Sequence, residues 1–153
     1  MMSGVEHVMM ATGEFERTLP AVTEALPGLL DALAAWLDEH GVLAPPRDDL
    51  LLALDEAVSN VIEHGYSDVP GRMTVSAREA TGGIELRVAD DASPFDPLAA
   101  PLPDLDAPLE DRPIGGLGVF LIRQLMDRVE YRREDGQNVL VMSRSRSPER
   151  PRA

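Results

Sequence analysis

Hydrophobic residues recur at helical spacing in three parts of the chain. The first predicted helix covers residues 20–40, and the third covers residues 117–127. The second covers residues 47–64, which follow two consecutive prolines and place their apolar side chains on one arc. The opposite, polar arc of this second helix carries Asp49, Glu56, Asn60 and Glu63.

Alternation of apolar and polar residues predicts strands elsewhere in the chain. One strand is expected within residues 5–19. Residues 73–77 and 84–88 alternate on either side of a glycine turn and predict a hairpin, and so do residues 129–133 and 138–143. Strands that pair locally, with helices arriving from elsewhere, predict an α+β fold. The expected architecture is a two-layer sandwich of a mixed, mostly antiparallel sheet with helices on one face.

A long segment between these elements shows neither the helical spacing nor the strand alternation of apolar residues. Residues 98–113 are rich in proline and acidic residues, and a loop of this length inside a compact domain is usually functional, so a lid is expected at about residues 98–114. The domain is predicted to cover residues 1–144. Arginines and prolines after Ser143, beginning with Arg144, indicate a solvated terminus, and residues 145–153 are expected to form a disordered tail.

Composition narrows the function further. At 153 residues the chain fits one domain, and its net charge of −13 disfavours nucleic acid and favours a protein partner. The absence of cysteine excludes disulfides, thiolate zinc sites and a cysteine nucleophile. The apolar runs are far shorter than the roughly 20 residues that span a bilayer, so no membrane segment and a cytoplasmic location are expected.

The chain contains no lysine, because all 14 residues of its lysine and arginine total are arginines. A Walker P-loop and a eukaryotic-type protein kinase each need a lysine on the phosphates, so both are excluded. A nucleotide bound here would have its phosphates held by magnesium, backbone N–H groups and arginine.

Two candidate chemical groups lie on the second helix and at a strand end. Glu56 and Asn60 are four residues apart, so their side chains share one helix face. An amide oxygen can join the oxygen shell of magnesium, and a carboxylate beside it can orient or deprotonate a hydroxyl; the alternative is an ordinary exposed face. Asp90, at the end of a strand, either accepts a hydrogen bond from a purine amino group or initiates a turn.

A glycine cluster opens the third helix. Gly115, Gly116 and Gly118 place unpaired N–H groups at a helix N-terminus, which suits an anion, although the same glycines could form a flexible hinge. Arg112 precedes them on the acidic loop. It could fold over a terminal phosphate, or it could offset the neighbouring acidic side chains in solvent.

Taken in order, these segments resemble the GHKL ATPase superfamily with its Bergerat ATP-binding fold. Within it, the chain is most similar to the stand-alone anti-sigma factor serine/threonine kinases. Residues 54–66 resemble the family's N box, residues 90–97 its adenine box, and residues 112–118 with 125–127 its phosphate-binding box. The resemblance spans about residues 50–142.

The resemblance implies roles for individual residues. Glu56 would be the general base, Asn60 would bind magnesium, and Asp90 would receive the adenine amine. The other residues implied in nucleotide binding or in offsetting phosphate charge are Ala92, Phe95, Arg112, Gly115, Gly116, Leu117 and Gly118. The chain departs from the family at Ala92, where glycine is usual, and a positive φ there would cost alanine on the order of 1 kcal/mol.

The resemblance also implies an activity. It is transfer of phosphate from ATP, with Mg2+, to a serine or threonine of a STAS-type anti-sigma factor antagonist, by a homodimeric protein that can also sequester a sigma factor. The alternative function is a nucleotide-gated regulatory binding module that lacks kinase activity.

Overall fold

The computed structural model describes residues 13–64, 71–99 and 116–149. In this part of the chain, five strands form one sheet in the order β1-β2-β3-β5-β4, and every neighbouring pair is antiparallel. The strands are β1 (Phe15–Pro20), β2 (Arg72–Ala80), β3 (Gly83–Asp90), β4 (Arg128–Glu134) and β5 (Gln137–Ser145). The α-helices are α1 (Leu26–Glu39), α2 (Pro46–His64) and α3 (Gly116–Leu125).

The helices cover one face of the sheet. Alternate residues of the strands join the helices in a single apolar core, whose largest members include Leu33, Leu37, Leu50, Leu54, Leu86 and Met142. The intervening strand residues point to the other face, where Thr18 and Thr74 share a hydrogen bond and Arg78 pairs with Glu85. This arrangement confirms the α+β, two-layer expectation.

The two hairpins are confirmed, and their turns follow from local chemistry. Asp135 and Gly136 have φ values of 53° and 76°, which is the backbone that a two-residue turn between twisted strands requires. The first helix begins later than predicted. Residues 23–25 form a 3-10 turn, and α1 starts at Leu26 with a proline in its first turn, where a missing N–H is tolerated.

Burial of polar and charged residues departs from the sequence pattern at three positions. Asp49 and Asn60 belong to the polar arc of α2, yet both are buried. Arg144 was expected to be solvated, but it is 1% exposed because its Nε and Nη2 donate to Asp49 Oδ2 at 3.2 and 3.1 Å. The ion pair neutralises both groups, which is what allows charged side chains to enter a core.

Several predictions fall outside the described residues. The structure does not describe residues 5–12 of the expected first strand or residues 100–114 of the expected lid. Just before the expected lid, and overlapping its start, residues 97–99 form a short 3-10 turn. The domain limits remain a prediction. None of the helices in the described ranges has both the length and the hydropathy to cross a membrane.

Candidate functional site

A pocket lies between α2 and the ends of three strands of the sheet. Three of the predicted site residues, Asn60, Asp90 and Phe95, line it together. Tyr131 from β4 and Asn138 from β5 complete its polar wall. The apolar part of the lining consists of Ala57, Val61, Val88, Pro97 and Leu140. A mostly apolar pocket with a few convergent polar groups is typical of a small-molecule site.

Asp90 ends β3 with a buried side chain that is 5% exposed. Its Oδ1 accepts hydrogen bonds from the backbone N–H of Ala92 and from Asn138 Nδ2, each at 3.0 Å. No described residue donates to its Oδ2. One oxygen therefore builds the turn, and the other has no donor among the described residues, so the turn does not prevent Asp90 from accepting a hydrogen bond from a ligand.

Asn60 lines the same pocket from α2 and is 9% exposed. Its Nδ2 has no hydrogen-bond partner among the described residues. A buried amide left unpaired costs about 1–3 kcal/mol, so such a group calls for a ligand partner. An N–H donor suits a phosphate oxygen, whereas a magnesium ion would take the other end of the amide, Oδ1.

Metal binding here would depend on few protein ligands. The described ranges contain no group of three or more His, Cys, Asp or Glu side chains that could hold a metal ion. Magnesium usually keeps several waters and takes one or two protein ligands together with phosphate oxygens. A single amide oxygen from Asn60 fits that pattern of coordination.

Glu56 lies one turn before Asn60 on α2 and faces α3 instead of lining the pocket. A Cβ added to Gly118 would stand 2.6 Å from Glu56 Oε1, so the carboxylate occupies the space that any other residue at this position would fill. Burial, and then the negative charges of Asp55 and Glu63, raise the pKa of Glu56. A carboxylate with a raised pKa is a better proton acceptor near neutral pH.

The predicted phosphate-binding residues are described in part. Gly116 and Leu117 form the first turn of α3, and Gly118 follows them with Glu56 against its backbone. Gly115 and Arg112 lie outside the described residues. The structure thus brings Glu56 to the beginning of α3, where free backbone N–H groups attract anions.

The side chain of Ala92 is buried, and Ala92 is not among the residues that line the pocket. Among the described non-glycine residues, only Asp135 has a positive φ. Alanine in place of the family's usual glycine therefore causes no backbone strain at this position. The carbonyl oxygen of Ala92 accepts from Arg133 Nη1 at 2.8 Å.

Two polar residues of the pocket, Tyr131 and Asn138, were not predicted from the sequence. Asn138 is opposite Asp90 in the β3–β5 register, and the Tyr131 hydroxyl donates to Asn138 Oδ1 at 2.6 Å. An asparagine beside a turn is expected to hydrogen-bond within that turn. Only the strand register reveals that Asn138 instead contacts Asp90. His64, the last residue of α2, stacks on Phe95 with ring centroids 5.3 Å apart.

The chain is similar in sequence to proteins of known family. The sequence model of the histidine kinase-like ATPase domain matches residues 19–144. The chain is 33% identical over 120 residues to the serine/threonine-protein kinase BtrW of Bordetella bronchiseptica, covering 74% of this chain and 84% of BtrW. It is 28% identical over 133 residues to the serine-protein kinase RsbW of Bacillus cereus, covering 84% of this chain and 82% of RsbW.

A solved structure shows the same fold. The crystal structure of the RsbU and RsbW domains of Rv1364c from Mycobacterium tuberculosis superposes with a TM-score of 0.64 at 22% identity. The match covers 92% of this chain and 34% of that longer chain. This likeness shows the fold, and the family assignment rests on the domain match and the two kinases. The chain belongs to the histidine kinase-like ATPase domain family, in its branch of protein serine/threonine kinases.

Proposed function

We propose that this kinase transfers the γ-phosphoryl group of ATP to a serine or threonine of a STAS-type anti-sigma factor antagonist. The observation that carries the proposal is the convergence of an unpaired Asn60 amide and a half-satisfied Asp90 carboxylate in one pocket. Glu56 lies one helical turn away, at the start of α3. These are the parts that a lysine-free phosphotransfer site requires.

The two ends of the nucleotide would be recognised separately. Asp90 Oδ2 would accept a hydrogen bond from the adenine amine, which discriminates against bases that lack this donor. Asn60 would face the phosphates, and the backbone N–H groups of Gly115, Gly116, Leu117 and Gly118 would surround them. Arg112 would offset the charge that develops on the transferring group.

Glu56 would act on the protein substrate. Its carboxylate would accept the proton of the substrate hydroxyl while the hydroxyl oxygen forms a bond to the γ-phosphorus and the bond to the β–γ bridging oxygen breaks, leaving ADP. A magnesium ion bound through Asn60 would neutralise phosphate charge. Burial and two neighbouring negative charges raise the pKa of Glu56, and the raised pKa makes its carboxylate a stronger base.

The family resemblance supplies the biological setting of the proposal. The protein would act in the cytoplasm as a homodimer, bind its antagonist as substrate and be able to sequester a sigma factor. The net charge of −13 favours protein partners over DNA for both complexes.

Phosphate transfer tests the proposal directly. Purified protein, labelled Mg-ATP and a STAS-domain antagonist should yield a phosphorylated serine or threonine on the antagonist. Glu56→Gln should lower the transfer rate by about a hundredfold or more, while the Kd for ATP changes less than about twofold. Glu39→Gln, at the exposed end of α1, is the matched control and should transfer at the rate of the wild type.

Two results would contradict parts of the proposal. If the wild type binds ATP but phosphorylates no antagonist, the chain is a nucleotide-gated binding module. If Asp90→Asn leaves the preference for ATP over GTP unchanged, the adenine does not lie on Asp90.

A further inference from the structure

Asn138 is the most extensively hydrogen-bonded side chain of the pocket wall. It stands opposite Asp90 in the β3–β5 pairing and is 6% exposed. Its Nδ2 donates to Asp90 Oδ1 at 3.0 Å and to Ser93 O at 2.9 Å. Its Oδ1 accepts from the Phe95 N–H at 3.1 Å and from the Tyr131 hydroxyl at 2.6 Å.

These contacts use the whole hydrogen-bonding capacity of the side chain. A carboxamide has two N–H donors and two acceptor sites on its oxygen. Asn138 commits all four to the protein, and a longer contact at 3.4 Å reaches the Ala92 carbonyl. It lines the pocket but has no polar atom left for a ligand, so it acts on a ligand only through its neighbours.

The first of these neighbours is Asp90. The hydrogen bonds from Ala92 N–H and Asn138 saturate Oδ1 and fix the carboxylate in one orientation, with Oδ2 as its remaining acceptor. A site that recognises a base through one hydrogen-bond donor needs its own acceptor held in place. If the acceptor is displaced, the site loses both affinity for the base and discrimination between bases.

The second neighbour is the loop that follows β3. Asn138 binds both the Ser93 carbonyl and the Phe95 N–H, so it holds this loop against the end of β5. The Phe95 ring is thereby kept on His64 at the edge of the pocket. One side chain from a distant hairpin therefore fixes both the acceptor and the adjoining wall.

We propose that Asn138 is a positioning residue that sets the preference of the site for adenine, by holding Asp90 and the loop of Ser93 and Phe95 in one arrangement. The inference rests on the proposed nucleotide site. It adds a determinant of base selectivity that lies on β5, outside every segment that the family resemblance used.

Asn138→Asp tests the donors of this residue at almost constant volume. An aspartate keeps the acceptors for Phe95 and Tyr131, loses both donors and places a second carboxylate against Asp90. Gln137→Glu is the matched control, since it adds the same charge at the neighbouring, exposed position of β5. If Asn138→Asp does not fold, Asn138→Ser removes the same double contact without adding a charge.

Calorimetry with ATP and GTP, each with magnesium, gives the selectivity as a ratio of Kd values. We expect Asn138→Asp to reduce the preference for ATP over GTP by about tenfold or more, the effect of one misplaced hydrogen bond. Gln137→Glu should keep the ratio of the wild type. Amide exchange without nucleotide gives a second readout, in which Asn138→Leu should accelerate exchange at the N–H of Phe95.

The outcomes separate this inference from the proposed function. If the wild type prefers ATP and Asn138→Asp changes the ratio less than about twofold, Asn138 has no positioning role and the nucleotide site stands. Equal loss of ATP and GTP affinity would likewise reduce Asn138 to a purely structural residue. If the wild type binds neither nucleotide, the proposed function fails and the inference fails with it.

Discussion

The surroundings of Glu56 make its carboxylate a better proton acceptor, and they also lower the stability of the folded protein when the carboxylate is ionised. Burial raises its pKa above the ordinary value of 4.5, and the charges of Asp55 and Glu63 raise it further. A carboxyl group whose pKa is higher in the folded state than in the unfolded state binds protons more tightly when folded. The free energy of unfolding therefore falls as the pH rises through the raised pKa.

Glu56→Gln should consequently stabilise the protein at about pH 7, because the glutamine cannot ionise. The gain should shrink as the pH falls through the raised pKa and vanish below the ordinary value of 4.5, where both states of the wild type are protonated. Urea unfolding across this range measures it. A gain that is equally large at low pH would show that the charge of Glu56 is not its cause.

At the scale of elements, α2 and α3 meet where Glu56 lies against Gly118. A methyl group there would overlap Glu56 Oε1 at 2.6 Å, and the flexible carboxylate would move aside by some tenths of an ångström. Alanine is otherwise favourable in a helix, so the fold should be retained. The contact between the two helices thus sets the position of the proposed base.

Gly118→Ala should therefore lower kcat for phosphate transfer by about tenfold while the Kd for ATP changes less than about twofold, since it displaces the base without removing a phosphate contact. Gly28→Ala in α1 is the matched control, because its Cβ would meet no atom within 4 Å. A variant with a weakened Kd and an unchanged kcat would assign Gly118 to phosphate binding alone.

The elements themselves were predictable because their signals are local. The hairpins follow from alternation around glycine turns, and α2 follows from its apolar arc and the prolines before it. The pairs that the sequence missed are distant in the chain: Asp49 with Arg144 is separated by 95 positions, and Asp90 with Asn138 by 48. Only the strand order and register bring such residues together.

The residues of the candidate site likewise fall into those that the sequence predicts and those that only the fold reveals. Asn60, Asp90 and Phe95 belong to short segments whose residue pattern is recognisable, and the structure places them in one pocket. Tyr131 and Asn138 belong to a hairpin with no functional pattern of its own. They became pocket residues because β5 pairs with β3 and carries β4 beside it.

At the scale of the whole molecule, the net charge of −13 opposes the approach of any polyanion. No lysine offsets this field, and the proposed phosphate contacts are a metal ion, backbone N–H groups and one arginine. Free ATP and Mg-ATP should therefore differ in how they respond to salt. The screening length is about 30 Å at 0.01 M ionic strength and about 8 Å at 0.15 M.

With magnesium removed by a chelator, raising the salt from about 0.01 M to about 0.15 M should tighten the Kd for ATP, because screening weakens a repulsion that acts across the whole molecule. With magnesium present, the ligand carries less charge and the Kd should change less. Titration calorimetry at a series of salt concentrations measures both slopes. A site that gripped phosphate through cationic side chains would show the opposite sign, with affinity falling as salt rises, and that result would place arginine ahead of the metal and the backbone in holding the nucleotide.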